Sequence, residues 1–385
     1  MKHFEFATAN RIIFGVGTLY DLGPIAAEMG SRALVVIGGT SLRAAALFDV
    51  LRQQQLSAET FQVIGEPTVE LVEEGVLKAR RGQCDLVIGF GGGSVIDAGK
   101  AIAALLTNPG QPLDYLEVIG QGKKQSQQPL PYNAIPTTAG TGAEVTRNAV
   151  LGSPQHRVKV SLRSPLMLPK VALIDPELTQ TMPPPVTATT GLDALTQVLE
   201  PYVCNQANPL TDAFCLDGLH RVARSLRRAY DDGDDLRARE DMALASLEGG
   251  LALANAKLGA VHGFAGPFGG MFDAPHGGVC AALLPAVMEV NLAALTEREP
   301  DSPALDRYAD IGQILTDDPS ATAADGVAWV AALGRDLQIP GLGAYGLTEA
   351  DFPDLIVKAQ EASSMKGNPI QLTVEELAEI LKKAI

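Results

Sequence analysis

Residues 84–107 read CDLVIGFGGGSVIDAGKAIAALLT. The first part is a short, almost wholly apolar run, which is typical of a strand buried on both faces of a parallel sheet. The run passes through Gly91, Gly92 and Gly93 into a segment with helical spacing at 95–107. This stretch therefore predicts a strand, a glycine turn and a helix in succession, which is the repeating unit of α/β domains.

The same alternation continues on both sides of this stretch. Further strand-like runs lie at 32–39, 58–65, 132–142 and 171–178. Helical spacing follows at 41–55, with Ser41 at a plausible N-cap, and at 69–82. Strands that alternate with helices predict a doubly wound parallel sheet with right-handed crossovers.

A proline cluster, Met182-Pro183-Pro184-Pro185, ends this pattern. After it we find only helical stretches, separated by acidic loops such as 231–235. The sequence therefore predicts an α/β domain at 1–183 and an all-helical domain at 184–385. A cleft between two such domains is where a ligand usually binds.

The composition limits the classes of function. The 385 residues carry a net charge of −15, which disfavours nucleic acid or an anionic membrane surface as a partner. The N-terminus lacks the apolar core of a signal peptide, and no run of 18 apolar residues occurs. Four cysteines without C-x-x-C spacing are typical of reduced thiols. We expect a cytoplasmic protein of enzyme size.

Two loops could hold phosphate groups. Gly91-Gly92-Gly93-Ser94 opens a helix, where free N–H groups and the helix dipole favour anions. It matches neither the Walker A loop nor the G-x-G-x-x-G fingerprint, because Ile96 stands at the third glycine. The second loop, residues 136–142, offers the hydroxyls of Thr137, Thr138 and Thr141. Each loop alone could be an ordinary turn, but the two together favour a dinucleotide.

Two of the five histidines, His262 and His276, lie in the glycine-rich stretch 259–279. They could be metal ligands, proton-transfer groups or buried structural histidines. Asp193 and Gln197 are four residues apart and so share one helical face. The aspartate could bind a metal or could favour the start of a helix, and an amide is a weak ligand for zinc or iron. Thr189 or Thr190 could cap this helix.

Motifs along nearly the whole chain occur in the order expected for one enzyme family. They are FGVGTLYDLG (14–23), FGGGSVIDAGKAIA (90–103), AIPTTAGTGAEVT (134–146), LIDPELT (173–179), GLDALTQVLE (191–200), ANPLTD (207–212), VHGFAGPFGGMFDAPHGG (261–278), ALLP (282–285) and SSMKGNP (363–369). In these motifs the chain resembles the iron-containing, or group III, alcohol dehydrogenases. The resemblance implies the dehydroquinate synthase-like architecture, with an N-terminal dinucleotide-binding domain and a helical C-terminal domain. It also implies a hydride-transfer site between the domains, a small alcohol or aldehyde substrate, and a homodimer or larger homo-oligomer.

The resemblance implies a metal held by one aspartate and three histidines. These places fall on Asp193, His262 and His276, but the third histidine is replaced by Gln197. A further histidine, common in the family four residues after His262, is replaced by Gly266. In one interpretation Fe²⁺ or Zn²⁺ binds Asp193, His262 and His276, with Gln197 or water, and polarises the substrate oxygen.

Two other interpretations stay open. In one, the enzyme is a metal-independent oxo-acid reductase resembling maleylacetate reductase, in which a histidine supplies the proton. Arg147, Arg157 and Arg163 are then the candidate partners of a substrate carboxylate. In the other, the departures mark a catalytically silent nucleotide-binding protein. We favour the first, metal-dependent interpretation.

The resemblance also implies where the cofactor binds. After the first strand the family often carries an aspartate that selects NAD, and here that place is Gly38. Loss of this carboxylate removes repulsion toward a 2′-phosphate, so we expect NADP(H), with NAD(H) as the alternative. Lys159 either approaches the cofactor or is a solvated surface lysine. The full set of expected cofactor-binding residues is Gly38, Thr40, Gly91, Gly92, Gly93, Ser94, Asp97, Thr137, Thr138, Thr141, Lys159 and Leu178.

Overall fold

The computed structural model describes residues 3–156 and 158–385. The chain forms two compact units. The α/β unit comprises Ala7–Thr138 and Gly142–Gln180, and the helical unit comprises Thr181–Ile385, Ala139–Thr141 and the N-terminus up to Phe6. Both units draw on more than one chain segment, whereas the sequence predicts two continuous domains.

The α/β unit contains eight strands among the described residues. They are β1 Arg11–Phe14, β2 Arg32–Gly38, β3 Ser57–Val63, β4 Leu86–Gly91, β5 Tyr132–Pro136, β6 Asn148–Ser153, β7 Val158–Arg163 and β8 Val171–Ile174. Six form a parallel sheet in the order β1-β8-β5-β4-β2-β3. The other two, β6 and β7, form a separate antiparallel ribbon. The parallel α/β sheet predicted from the sequence is confirmed.

Helices cover both faces of the sheet. They are α1 Leu22–Ala27, α2 Ala45–Gln53, α3 Val69–Arg81, α4 Gly93–Thr107 and the short α5 Pro112–Tyr115. Along β2, Leu34 and Val36 join the apolar cluster that contains α3 and α4, whereas Val35 and Ile37 join the cluster of α1 and α2. Because successive side chains of a strand point to opposite faces, a strand covered on both sides must be apolar throughout.

The segment after β2 begins differently from the prediction. A single 3₁₀ turn, Ser41–Ala44, precedes α2, and Thr40 is the residue at the N-cap of that turn. The expected N-cap role of Ser41 is therefore wrong. Gly38 and Gly39 precede this turn. Gly39 has a positive φ of 67°, a conformation that favours glycine.

The helical unit contains nine α-helices and no strand among its described residues, which confirms the all-helical prediction. They are α6 Pro184–Val203, α7 Pro209–Asp231, α8 Leu236–Asn255, α9 Ala260–Met271, α10 His276–Arg298, α11 Pro303–Thr316, α12 Ala323–Asp336, α13 Phe352–Glu361 and α14 Val374–Ala384. One contiguous apolar cluster runs through all of them. Helix α6 lies at the centre of this cluster and packs against α7, α8 and α10.

By length and composition alone, α10 could cross a membrane. In this fold 72% of its apolar window is buried inside the unit, where the helix packs against α6, α9, α12 and α14. A helix that is apolar on all sides is also expected at the centre of a large helical core. The burial of α10 fits that second explanation.

A carboxylate cluster between α7 and α8 makes stability depend on pH. The Arg221 guanidinium is 2.6 Å from Asp217, 2.8 Å from Asp241 and 3.8 Å from the buried Glu248. Burial, followed by the nearby Asp217, raises the pKa of Glu248 to about 9. A carboxyl whose pKa is raised in the folded state contributes stability below its ordinary pKa, and that contribution is lost as the pH rises toward 9.

We therefore expect Glu248→Gln to flatten the pH dependence of stability between about pH 5 and 9. The native carboxyl should lose at most about 1.4 kcal/mol of stability per pH unit in this window, whereas an amide loses none. Urea unfolding at pH 5, 7 and 9 measures the difference. Parallel pH profiles for the two proteins would contradict the raised pKa.

Candidate metal centre

Three helices of the helical unit bring four side chains together. Asp193 lies in the middle of α6, His262 lies near the start of α9, and His276 and Cys280 occupy the first two turns of α10. Since α6 begins at Pro184, the alternative role of Asp193 at a helix start is wrong.

The predicted capping roles of Thr189 and Thr190 are wrong for the same reason. Both residues lie inside α6, where their hydroxyls donate to carbonyl oxygens one turn earlier, those of Pro185 and Val186. In the interior of a helix a threonine hydroxyl commonly donates its hydrogen bond to such a carbonyl oxygen. The proline cluster misled the prediction because Pro184 and Pro185 begin the helix instead of preceding it.

The four ligand-type atoms lie within 4.8 Å of one another. Asp193 Oδ1 is 3.5 Å from His262 Nε2 and 4.0 Å from His276 Nε2. Cys280 Sγ is 3.9 Å from His262 Nε2 and 3.7 Å from His276 Nε2. One carboxylate oxygen, two imidazole nitrogens and one sulfur thus converge on a single point.

The side chains of the cluster differ in their exposure to solvent. The side chains of Asp193 and His262 are 3% and 8% exposed, whereas that of His276 is 35% exposed. Asp193 Oδ1 is buried and has no hydrogen-bond partner among the described residues, and its 3.5 Å distance from His262 Nε2 exceeds normal hydrogen-bond length. A buried carboxylate oxygen without a partner is costly. A divalent cation bound at this point would satisfy it.

The charges inside the cluster shift its pKa values in consistent directions. Although burial acts to raise it, interactions with His262 and His276 hold the pKa of Asp193 below its usual range. The Cys280 side chain, ahead of the opposing effect of burial, raises the pKa of His276 to about 9. The pKa of His262 is raised well above its ordinary value, because Cys280, Asp193 and Glu200 outweigh burial. The surroundings therefore stabilise positive charge at this point.

Glu200, on α6, fixes the orientation of His262. One carboxylate oxygen is 2.7 Å from His262 Nδ1, and the other accepts the backbone N–H of Val261 at 2.7 Å. A carboxylate only accepts hydrogen bonds, so Nδ1 carries a proton, and Nε2 is the nitrogen that can give its lone pair to a metal. A carboxylate behind a histidine ligand is a common feature of metal sites, where it fixes the tautomer.

Gly277 allows α10 to begin close to α6. A Cβ at this position would lie 2.4 Å from the carbonyl oxygen of Thr189 and 3.4 Å from Asp193 Cβ. Real Cβ atoms essentially never approach a backbone oxygen so closely, so a side chain here would push His276 away from Asp193. The glycine after His276 is thus required for the geometry of the cluster.

Gln197, the predicted fourth ligand, has its amide nitrogen engaged by backbone carbonyl oxygens. Its amide nitrogen donates to the carbonyl oxygen of Gly140 at 2.5 Å, with a longer 3.5 Å interaction to the Asp193 carbonyl. The residue in the cluster that sequence reasoning missed is Cys280. Its spacing of four residues from His276, on one helix face, was the signal that could have found it.

The first predicted phosphate loop and the beginning of the second, Thr137 and Thr138, are neighbours in the α/β unit. The backbone N–H of Thr137 donates to the carbonyl oxygen of Gly91 at 2.9 Å, and Gly92 is the N-cap of α4. A Cβ on Gly92 would lie 3.3 Å from the Thr138 side chain. The loops therefore meet beside a free helix N-terminus, as a pyrophosphate would require.

Other predicted cofactor residues have defined partners. Lys159 is only 10% exposed and pairs at 3.4 Å with Glu66, which is also 3.5 Å from Ser94 Oγ. This environment differs from that of a solvated surface lysine. The Asp97 carboxylate accepts the N–H of Val150 at 3.0 Å and lies 3.5 Å from the Lys100 ammonium.

The remaining predicted cofactor residues lie in three places. Gly38 ends β2, and exposed Thr40 follows it. Gly93 is the first residue of α4, directly after the N-cap. Leu178 packs against the apolar cluster of α1 and α2, and Thr141 belongs to the helical unit.

Comparisons with known proteins identify the family. The family model "Iron-containing alcohol dehydrogenase" matches residues 9–176, and "Fe-containing alcohol dehydrogenase family, C-terminal" matches residues 187–385. The 1,3-propanediol dehydrogenase of Klebsiella pneumoniae is 35% identical over 100% of this chain and 99% of that protein.

Solved structures have the same fold. A 1,3-propanediol oxidoreductase structure superposes with a TM-score of 0.92 at 34% identity and covers 100% of both chains. A sulfoacetaldehyde reductase from Bifidobacterium kashiwanohense in complex with NAD⁺ has a TM-score of 0.87 at 26% identity and covers 100% of this chain and 99% of that one. From the two family models and the full-length similarity, the chain belongs to the iron-containing alcohol dehydrogenase family.

Proposed function

We propose that this enzyme transfers a hydride between NAD(P)(H) and a small alcohol or aldehyde, with a divalent metal held by Asp193, His262 and His276. The observation that most supports a bound metal is the buried Asp193 Oδ1, which has no hydrogen-bond partner in the described part of the chain and lies 3.5 and 4.0 Å from two imidazole nitrogens. When bound, such a metal acts as a Lewis acid on the substrate oxygen.

The surrounding residues hold this site in place and leave one side of it accessible. Glu200 fixes the His262 ring, and His276, the most exposed member of the cluster, indicates where a substrate enters. Gly266 lies one turn beyond His262 on the same face of α9, and a Cβ there would meet nothing within 4 Å. The room left by the missing histidine supports a substrate larger than the smallest alcohols, such as a short diol.

Two aromatic residues near the histidines, Phe264 and Phe272, differ in exposure. Phe264 is fully buried in the apolar core of the helical unit, so it supports the site through packing. Phe272 is half-buried and packs against Phe268 with ring centroids 4.7 Å apart. Of the two, only Phe272 has a surface that a substrate could touch.

The oxo-acid alternative is not favoured by the relatives in sequence, such as the 1,3-propanediol dehydrogenase of Klebsiella pneumoniae. Among the arginines that it requires, Arg163 pairs with Glu117 at 3.2 Å. Arg147 already interacts with another group of the chain. Arg157 lies outside the described residues. The catalytically silent alternative is not favoured either, because the four-residue cluster is intact.

The test combines metal analysis with turnover. We expect purified enzyme to hold one divalent metal per chain and to oxidise 1,3-propanediol and simple primary alcohols with NAD⁺ or NADP⁺. Treatment with a chelator should remove metal and activity together, and added metal should restore both. Turnover that is indifferent to complete metal removal would overturn the proposal.

We also propose a homodimer in the cytoplasm. All four cysteines are free, as is usual in a reducing compartment, and the family resemblance implies a dimer. Light scattering of the purified protein measures its mass in solution, and a monomeric mass would contradict the dimer.

Cofactor choice gives a separate prediction at Gly38, the last residue of β2. We expect Gly38→Asp to shift the kcat/KM ratio at least tenfold toward NAD⁺, because a carboxylate there repels a 2′-phosphate and accepts from a 2′-hydroxyl. The new Cβ would lie 3.1 Å from the Val95 side chain, so Gly38→Ala is the steric control. An unchanged ratio in Gly38→Asp relative to Gly38→Ala would remove Gly38 from cofactor selection.

A further inference from the structure

We propose that Cys280 is the fourth protein ligand of the metal, bound as a thiolate, and that it makes the centre prefer zinc to iron. The inference rests on the metal centre proposed above and adds a ligand that the family resemblance does not supply. Its basis is the position of the sulfur among the other three donors.

Four of the six separations among these atoms come close to the edges of a coordination tetrahedron, and all six are within 4.8 Å. Zinc lies about 2.0–2.1 Å from nitrogen or oxygen and about 2.3 Å from sulfur. These lengths give tetrahedron edges of roughly 3.3 Å between nitrogen and oxygen and roughly 3.6 Å between nitrogen and sulfur. The measured nitrogen–oxygen separations are 3.5 and 4.0 Å, and the nitrogen–sulfur separations are 3.9 and 3.7 Å. Small side-chain movements would close the site around an ion.

The position of Cys280 on α10 explains why the sulfur reaches this point. His276 and Cys280 are four residues apart and so project from one helix face in successive turns. Gly277 brings that face against α6. A single helix thus supplies two ligands, and Asp193 and His262 complete the set from α6 and α9.

The neighbours of Cys280 and the charge balance of the site also favour a bound thiolate. Cys280 is 0% exposed, and its sulfur contacts two imidazole nitrogens. The Asp193 carboxylate and a thiolate together carry the two negative charges that neutralise a divalent cation. Binding displaces the thiol proton to solvent, as it does whenever a cysteine becomes a ligand.

Cys280 would supply the donor that is lost where Gln197 replaces the family's third histidine. Gln197 uses its amide nitrogen on the Gly140 carbonyl, and an amide is a poor substitute for imidazole at zinc or iron. The Cys280 thiolate, on α10 instead of α6, restores the fourth strong donor. Thiolate and imidazole together suit zinc, whereas oxygen and imidazole ligands suit Fe²⁺ better.

Cobalt substitution tests the ligand directly, without any activity measurement. The full chain is stripped with a chelator and reloaded with Co²⁺, and cobalt per chain is measured beside the near-ultraviolet absorption. We expect one cobalt per chain and a sulfur-to-cobalt charge-transfer band. In Cys280→Ser the band should vanish, and the zinc-over-iron ratio in competition dialysis should fall at least tenfold. Cys84→Ser, a change to a free cysteine of the α/β unit, should keep both.

The outcomes separate this inference from the metal centre itself. One cobalt per chain without a charge-transfer band in the unaltered protein would overturn the role of Cys280 and leave the centre on Asp193, His262 and His276. No bound cobalt at all would overturn both proposals. The charge-transfer band of the unaltered protein shows whether a sulfur binds the metal, even if Cys280→Ser folds poorly. Cys280→Ala is a second variant in which the band should be absent.

Discussion

Asp193→Asn will remove most of the bound metal and lower kcat/KM by roughly a thousandfold. Lewis-acid stabilisation by a metal is worth several kcal/mol, and each 1.36 kcal/mol corresponds to a factor of ten in rate. The amide has the volume of the carboxylate but lacks its charge, so the two imidazoles and the cation lose their counter-ion at a buried position. Metal per chain and steady-state kinetics on the same preparation measure the effect.

The control for this change is Asp217→Asn. Asp217 is a half-exposed carboxylate on α7 that pairs with Arg221 at 2.6 Å, so its loss should leave both metal content and kcat/KM within a factor of two. Urea unfolding of both variants shows whether the fold is kept. An Asp193→Asn enzyme that is folded, metal-loaded and active would contradict the assignment of Asp193.

The sequence predicts the fold well where burial leaves a strong pattern. The central strands β2 and β4 are covered on both faces, so they read as unbroken apolar runs. By contrast, β1 has four partly exposed residues, and β6 alternates buried and half-buried positions that include Gly152. Such short or alternating segments resemble loops in a single sequence, and so β1, β6 and β7 were missed.

The candidate site was predictable only in part. Asp193, His262 and His276 were found because the residues around them resemble family motifs. Cys280 was not found, since a lone cysteine in an apolar helix is usually a core residue. Its spacing of four residues from His276 becomes a signal once both residues are known to lie on one helix, and the structure places both on α10. Likewise, the sequence offers Glu200 as one acidic residue among 45, and only the folded chain places it behind His262.

Glu200→Gln tests this placement and should weaken metal binding by about 10- to 100-fold, the usual cost of losing a carboxylate behind a histidine ligand. The native carboxylate accepts two hydrogen bonds at once, from the Val261 N–H and from His262 Nδ1. An amide has one accepting oxygen for these two donors. If the oxygen stays on Val261, the amide nitrogen faces His262 and draws the ring into the other tautomer. The proton then lies on Nε2, where the metal should bind.

The matched control is Glu248→Gln, which makes the same substitution at a buried glutamate of α8. Glu248 lies beside Asp217 and Arg221, so this variant should keep its metal affinity. We would measure zinc affinity by competition with a chromophoric chelator, together with the pH dependence of binding. A general loss of packing would weaken both variants alike, whereas a tautomer effect weakens only Glu200→Gln. Since the wrong tautomer removes the ligand without moving the ring, Glu200→Gln should stay folded yet bind metal poorly.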